Sequence, residues 1–477
     1  MSTLRSVVKN SAALAAGRIA TKALSLAFLG YVTRVMGEAG FGRFSMAMAL
    51  VGFVEVIPGY VARPFIIRFV ARERERSGRF LSGVVTTNIV LTLLLCAGLF
   101  GAVQFFGYPA DVEIAIHLLA ASLLFSSVTN SYHAVFAGFE RMELISIADV
   151  ANTALTIAIG VGVLAAGGGV VALCGAYALA RVATFLLARY WARGLLADRR
   201  FAWPDRDLVR ALLAGSWPFF ITTMFVIFYN RADIVMLSWM RGPIDAELAV
   251  GRYNAAYKLM EALGLVTSAF VMAVYPVMAR RFVHGGTGVL DAFRPSFRAL
   301  VAFTLPVAVG TSLLAPDLMA LLFGDAFAVA GAALAVLIWG QVLDSVNPLA
   351  AVALRAVERE GELAKITLVG AVVNVGLNLY LIPRHSYMGA AAATLASFAV
   401  VWAWSVVSLR RALGPLRVTA DALRGIVAAA AMGVAVWFAR PYGLVAAVAT
   451  GVVVYVPAAL AVGLVRRADL ALIRRSA

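Results

Sequence analysis

The chain is made of long apolar stretches that follow one another with almost no polar domain between them. About fourteen fall near residues 11–36, 42–70, 81–106, 112–139, 144–167, 169–191, 208–240, 249–282, 296–322, 327–356, 362–383, 386–413, 420–438 and 441–465. Each approaches or exceeds the roughly 20 mainly apolar residues that a helix needs to cross a bilayer. They do not alternate apolar with polar positions, which excludes the strands of a membrane barrel. A chain that is 62% hydrophobic and 14% charged is far outside soluble composition. The expected fold is an all-α polytopic membrane protein with about 14 transmembrane helices.

The loops between the stretches carry their basic residues alternately. Arg72, Arg74, Arg76 and Arg79, then Arg193, Arg199, Arg200 and Arg206, then Arg410, Arg411 and Arg417 fall on one side, together with both chain ends. The other side holds little beyond Arg34, Arg43, Arg241, Arg252, Arg384 and Arg440. By the positive-inside rule both termini are expected in the cytoplasm. The same rule accounts for the net charge of +16, so no nucleic-acid partner is expected. Cys96 and Cys174 lie in apolar runs, and four scattered histidines give no ligand spacing, so neither a disulfide nor a metal site is implied. Arg18 and Lys22 lie within the first apolar run, which reads as a retained span rather than a cleaved signal.

Three short motifs recur in the same order at corresponding positions. Gly42-Arg-Phe-Ser-Met-Ala47 is echoed by Gly251-Arg-Tyr-Asn-Ala-Ala256, each opening a second helix. Glu140-Arg-Met-Glu-Leu144 is echoed by Glu358-Arg-Glu-Gly-Glu-Leu363 between fourth and fifth helices, and Gly169 by Gly389 at the start of sixth helices. Two six-helix lobes are expected, residues 1–207 and 208–413, followed by two additional helices and a tail at 414–477. An even number of spans per lobe predicts parallel repeats about an axis along the membrane normal, with a site at mid-depth.

Charges inside apolar runs are costly, about 2.5–3.5 kcal/mol each at a helix centre, and mark functional sites by default. The first half offers Arg18, Lys22, Arg63 and Arg181 as a cationic wall, with Glu55 near mid-depth. Guanidinium forks and ammonium groups match diphosphate oxygens; the alternative is snorkelling of arginines to the interface. The second half offers Asn230, Arg231, Asp233, Lys258, Glu261, Asp344 and Asn347, suited to sugar hydroxyls or ion coupling, or else to neutralising one another between helices. Gln341 accompanies them, while Asn374 and Asn378 read as interhelical hydrogen bonds. Tyr229, Trp239, Tyr253 and Tyr257 read as interfacial belt residues, with stacking on sugars as the alternative.

Leu29-Gly-Tyr-Val-Thr-Arg-Val-Met-Gly-Glu-Ala-Gly-Phe-Gly-Arg-Phe-Ser45 resembles the first loop of polysaccharide flippases, where Arg-x-x-Gly precedes a Gly-aromatic turn. Arg231-Ala-Asp-Ile-Val-Met-Leu237, Val250-Gly-Arg-Tyr-Asn-Ala-Ala-Tyr-Lys-Leu259 and Tyr275-Pro276 resemble the seventh and eighth helices of the same family. The family belongs to the multidrug/oligosaccharidyl-lipid/polysaccharide exporter superfamily, and the resemblance covers about residues 1–413. It implies two six-helix lobes around a V-shaped cavity, and transport of a lipid-linked oligosaccharide between leaflets of the inner membrane. Lipid II flippases fit less well, because their first helix usually carries an Arg-Asp pair where this chain has Arg18-Ile-Ala-Thr-Lys22. The multidrug branch fits less well again, lacking here its acidic group in the first helix.

The implied partners are the lipid-linked substrate, membrane lipids and polysaccharide polymerase or assembly proteins, with the chain itself expected as a monomer. No cofactor is expected; transport is driven by the membrane potential, or coupled to a proton or sodium ion. Short outer loops such as Phe106-Gly-Tyr-Pro-Ala-Asp111 argue against a membrane glycan polymerase or transferase, and no Gly-rich nucleotide loop appears.

Overall fold

The computed structural model describes residues 2–60, 63–74, 77–196, 231–240, 243–282 and 286–465, together with isolated positions in 203–229. The Arg18 side chain, Asn230 and most of the expected seventh span lie outside the described residues. Among the described residues the structure is helical and contains no strand. Nine helices among these described residues are long and apolar enough to cross a membrane.

Two pairs of expected spans are joined as kinked helices. α1 (Ser2–Tyr60) breaks at Gly37, whose φ of 67° is open to glycine without strain. α2 (Arg63–Arg72) completes the expected second span, with Pro64 in its first turn, where a missing N–H costs nothing. α3 (Ser77–Phe106), α4 (Ala110–Gly138), α5 (Met142–Ala165) and α6 (Val170–Leu195) follow. Residues 231–240 form α7. α8 (Pro243–Phe282), α9 (Gly286–Leu313), α10 (Ala315–Phe323) and α11 (Gly331–Ala356) continue the chain. α12 (Glu360–Leu413) breaks at Ser386, and α13 (Thr419–Ala439) and α14 (Leu444–Ala461) close the described chain.

The repeats seen in sequence recur in the backbone. Glu140 and Glu358 both adopt positive φ, 61° and 58°. After each, an arginine N–H returns to a carbonyl five residues back, Arg141 to Phe136 at 2.8 Å and Arg359 to Leu354 at 2.9 Å. This satisfies the last carbonyls of α4 and α11 by the same left-handed turn. A second left-handed residue, Gly167 or Ser386, precedes the sixth helix of each half.

Two compact units form, Met1–Gly251 and Arg252–Ala477. The expected boundary at 207/208 falls where few residues are described. Residues 231–251 join the first unit through contacts with α1 and the α3–α4 turn: Tyr108 Oη lies 3.2 Å from Ser238 Oγ, and Trp239 meets Phe106 edge to face. Within that unit α4 is the central helix, packed against α1, α2, α3, α5 and α6. In the second unit α11 packs against α9, α10 and α12.

The two helices outside the repeat dock on α9. Small residues permit the approach: a side chain at Gly425 would meet Val301 and Leu305, and one at Gly433 would meet Val309. Tyr455 Oη donates to the Ala302 carbonyl at 2.6 Å, and Arg294 Nε donates to the Leu416 carbonyl at 2.9 Å across the linker.

The glycines that open the first repeat motif and its echo, Gly42 and Gly251, approach each other closely within the first unit. A Cβ at Gly42 would lie 1.8 Å from the Glu247 carbonyl oxygen, and one at Gly251 would lie 2.4 Å from that of Glu38. Each glycine thus meets the residue four positions before the other. Gly42→Ala and Gly251→Ala should each cost about 1–3 kcal/mol by overpacking. Both should lower the thermal unfolding midpoint in detergent, while Gly52→Ala, with nothing within 4 Å of its added Cβ, should not.

Candidate functional site

The site is built on one face of α4. Ser122, Ser126, Thr129 and His133 recur at helical spacing and form a polar stripe. α1 beyond its kink, then α2, runs beside this stripe in matched register. At one end Arg43 Nη1 donates to Asp111 Oδ2 at 2.9 Å, and its Nε lies 2.9 Å from Glu247 Oε2. In the middle Ser126 Oγ donates to Glu55 Oε1 at 2.8 Å. Arg181, from α6, donates to Glu55 Oε2 at 2.8 Å and to Ser122 Oγ at 3.0 Å. At the other end lies His133, whose Nε2 is buried without a hydrogen bond among the described residues.

The predicted wall therefore divides. Arg181 is neutralised by Glu55 within a four-residue network that includes both serines. Arg63 is half-buried as the first residue of α2, and Lys22 is exposed on the first limb of α1. Neither makes a hydrogen bond or ion pair with another described residue. Asn88 donates to Ser131 at 3.0 Å, and Thr184 to Asn152 at 3.2 Å, extending the polar interior to α3 and α5.

In the remaining helices Arg231 is half-buried and Asp233 buried on α7. Lys258 and Glu261 pair one turn apart on α8, Nζ to Oε2 at 2.7 Å. Asn347 donates to Asp344 Oδ1 at 3.3 Å on α11, beside buried Gln341. Asn378 donates to Asn374 at 3.0 Å, and Asn374 to Ser397 at 3.4 Å across the two limbs of α12. The interhelical reading matches this geometry for Asn374; the bond from Asn378 stays within one limb.

The belt reading of Tyr253 is corrected. Its side chain is fully buried, with Oη 3.0 Å from Thr394 Oγ1, because the crossing helices enclose it and its hydroxyl finds a polar partner inside. Trp239, 54% exposed, does sit at the protein surface. Sequence reasoning passed over Ser122, Ser126, His133 and the Arg43 cluster. The spacing of the stripe was visible, but hydroxyls in apolar helices commonly bond their own backbone, which hid it. Outside the spans, burial raises the Tyr108 phenol above its ordinary value and keeps it a neutral partner for Ser238.

Residues 7–282 match the family described as polysaccharide biosynthesis protein. The chain belongs to this family. Its relatives include a probable low-salt glycan biosynthesis flippase of Haloferax volcanii, 22% identical over 379 residues, covering 79% of this chain and 78% of that one. A putative O-antigen transporter of Shigella flexneri is 22% identical over 284 residues, covering 57% of this chain and 66% of that one. Among solved structures, lipid II flippase MurJ in an inward closed conformation matches with a TM-score of 0.76 at 12% identity, over 92% of this chain and 97% of that one. An inward-facing multidrug transporter of the MOP superfamily matches at 0.63 and 16% identity, over 82% and 95%. At these identities the structural likeness establishes the fold alone.

Arg43 joins two carboxylates, and Glu247 is nearly enclosed at 7% side-chain exposure. Arg43→Gln should destabilise by about 1–2 kcal/mol, less than a fully buried pair because Arg43 is 38% exposed. Adding Glu247→Gln should recover part of that loss in a double-mutant cycle read by thermal unfolding.

Proposed function

We propose that the chain is a flippase for a polyprenyl-diphosphate-linked oligosaccharide, moving it from the cytoplasmic to the outer leaflet of the inner membrane by alternating access for cell-surface polysaccharide biosynthesis. The observation that carries this reading is the set of cations on spanning helices of the first unit, Arg63 and Arg181 beside the α4 stripe and Lys22 on α1. Family membership and the names of the relatives support it. Arg18 is assigned to the same wall from its place in the sequence, one turn from Lys22.

The division of labour follows from chemistry. A diphosphate needs strong donors, which Lys22, Arg63 and Arg181 supply. Sugar hydroxyls need donors and acceptors together, which the groups around Asp344, Asn347, Lys258 and Glu261 supply; Asn230, Arg231 and Asp233 belong to this polar set by sequence. The basic loops put both termini in the cytoplasm. Outward transfer of an anion is favoured by about 2.3 kcal/mol per charge per 100 mV of inside-negative potential, so no second ion is required. The chain acts as a monomer that hands its product to polymerase or assembly proteins.

Lys22→Gln and Arg63→Gln should each reduce translocation about tenfold, the size of one charge-assisted contact. The readout is lipid-linked glycan accumulating on the cytoplasmic side of the membrane, and wild-type distribution in both variants removes the proposed wall. In proteoliposomes an imposed potential alone, without a pH or sodium gradient, should accelerate flipping. Absence of any response shifts the drive to a coupled ion.

A further inference from the structure

Arg181 and Glu55 are each held twice. Arg181 donates from Nη2 to Glu55 and from Nη1 to Ser122, at 2.8 and 3.0 Å. Glu55 accepts from Arg181 on one oxygen and from Ser126 on the other, the latter at 2.8 Å. The two serines sit one turn apart on α4, so opening the ion pair leaves each charge with its own hydroxyl anchor.

The pair is also not sealed. The Glu55 side chain is 27% exposed and that of Arg181 14%, which makes the carboxylate the more open partner. An anion can take Nη2 of Arg181 only by displacing the Glu55 carboxylate, one oxyanion replacing another at the same donor.

We propose that Glu55 is a built-in competitor for the anion site. It occupies Arg181 when the site is empty, yields to the phosphate groups of the cargo, and retakes Arg181 as they leave. Glu55 is then a positioning residue that acts through Arg181, and no covalent bond is made or broken. The inference rests on the reading that Arg181 belongs to the phosphate-binding wall. It adds a reason for an acid to stand there: a guanidinium left alone at this depth would hold a diphosphate too firmly to release it.

The test is isothermal titration of the purified full-length chain with farnesyl diphosphate and, separately, with inorganic pyrophosphate. Arg181→Gln should weaken binding about tenfold or more, and Glu55→Gln should tighten it about tenfold and slow dissociation. A merely structural pair predicts the opposite sign for Glu55→Gln, because loosening the helices harms the site. Tightening with both probes assigns the exchange to phosphate itself, and tightening with farnesyl diphosphate alone assigns it to a lipid-borne phosphate; either result supports the competitor role. Unchanged or weaker binding in Glu55→Gln, with Arg181→Gln still impaired, overturns that role and leaves the wall standing. Unchanged binding in Arg181→Gln removes Arg181 from the wall and the inference with it. If thermal unfolding shows that Glu55→Gln does not fold, Glu55→Asp, a methylene too short for the present contact, carries the same expected direction.

Discussion

An ion placed among hydrocarbon chains must find its compensation inside the protein, and the architecture of the first unit follows from that constraint. Glu55 and Arg181 come from helices that are distant in sequence, yet they meet at 2.8 Å because α4 brings a hydroxyl to each. Unpaired, either charge would cost about 2.5–3.5 kcal/mol at a span centre. Paired and doubly hydrogen-bonded, the cost falls, and the contact fixes the register of α1, α4 and α6. The same constraint sorts the other polar residues of the spans. Lys258 and Glu261 neutralise each other within one helix, whereas Asn374 and Asn378 are fully buried, Asn378 donating to Asn374 within one limb of α12 and Asn374 to Ser397 across its kink.

Duplication gives the fold a second source of order. The left-handed glutamates at 140 and 358 show that the halves share turn geometry as well as short sequence matches. A residue with a Cβ at positive φ is uncommon outside Asn and Asp, so its recurrence at corresponding turns ties the two halves by local structure alone. Gly42 and Gly251 add a different kind of constraint, since each permits a backbone approach that any side chain would block. The motifs that announce the repeat in sequence are therefore the places where the backbone has least freedom to vary.

Much of this was legible before any coordinates. Apolar run length gave the helices, whereas the break at Gly37, with a φ of 67°, joins two spans that the sequence reads as separated by a loop. The charges of the wall were legible because they stand out against apolar neighbours. Their partners were not. Arg43 and Asp111 are separated by 68 positions, and Arg181 and Glu55 by 126, and a single sequence carries no record of such pairing. Tyr253 was misplaced for a related reason: a tyrosine near the end of a span suits the interface by composition, and only the packing of α8 and α12 shows its hydroxyl reaching Thr394. Serines that bridge helices look in sequence like serines that bond their own turn, which is why the α4 stripe escaped notice.

Under the proposed exchange, the Glu55–Arg181 pair also bears on how the membrane potential would divide between the steps of a transport cycle. Were Arg181 uncompensated, its positive charge would be drawn toward a negative cytoplasm with the site empty and would offset part of the cargo's charge with the site loaded. A carboxylate beside it cancels that charge in both states, leaving the contributions of Lys22 and Arg63. More of the potential's work, about 2.3 kcal/mol per charge per 100 mV, would then fall on the loaded, outward step. The work over one cycle is the same in either case, because it depends only on the charge delivered; the carboxylate would change how that work is shared between the steps.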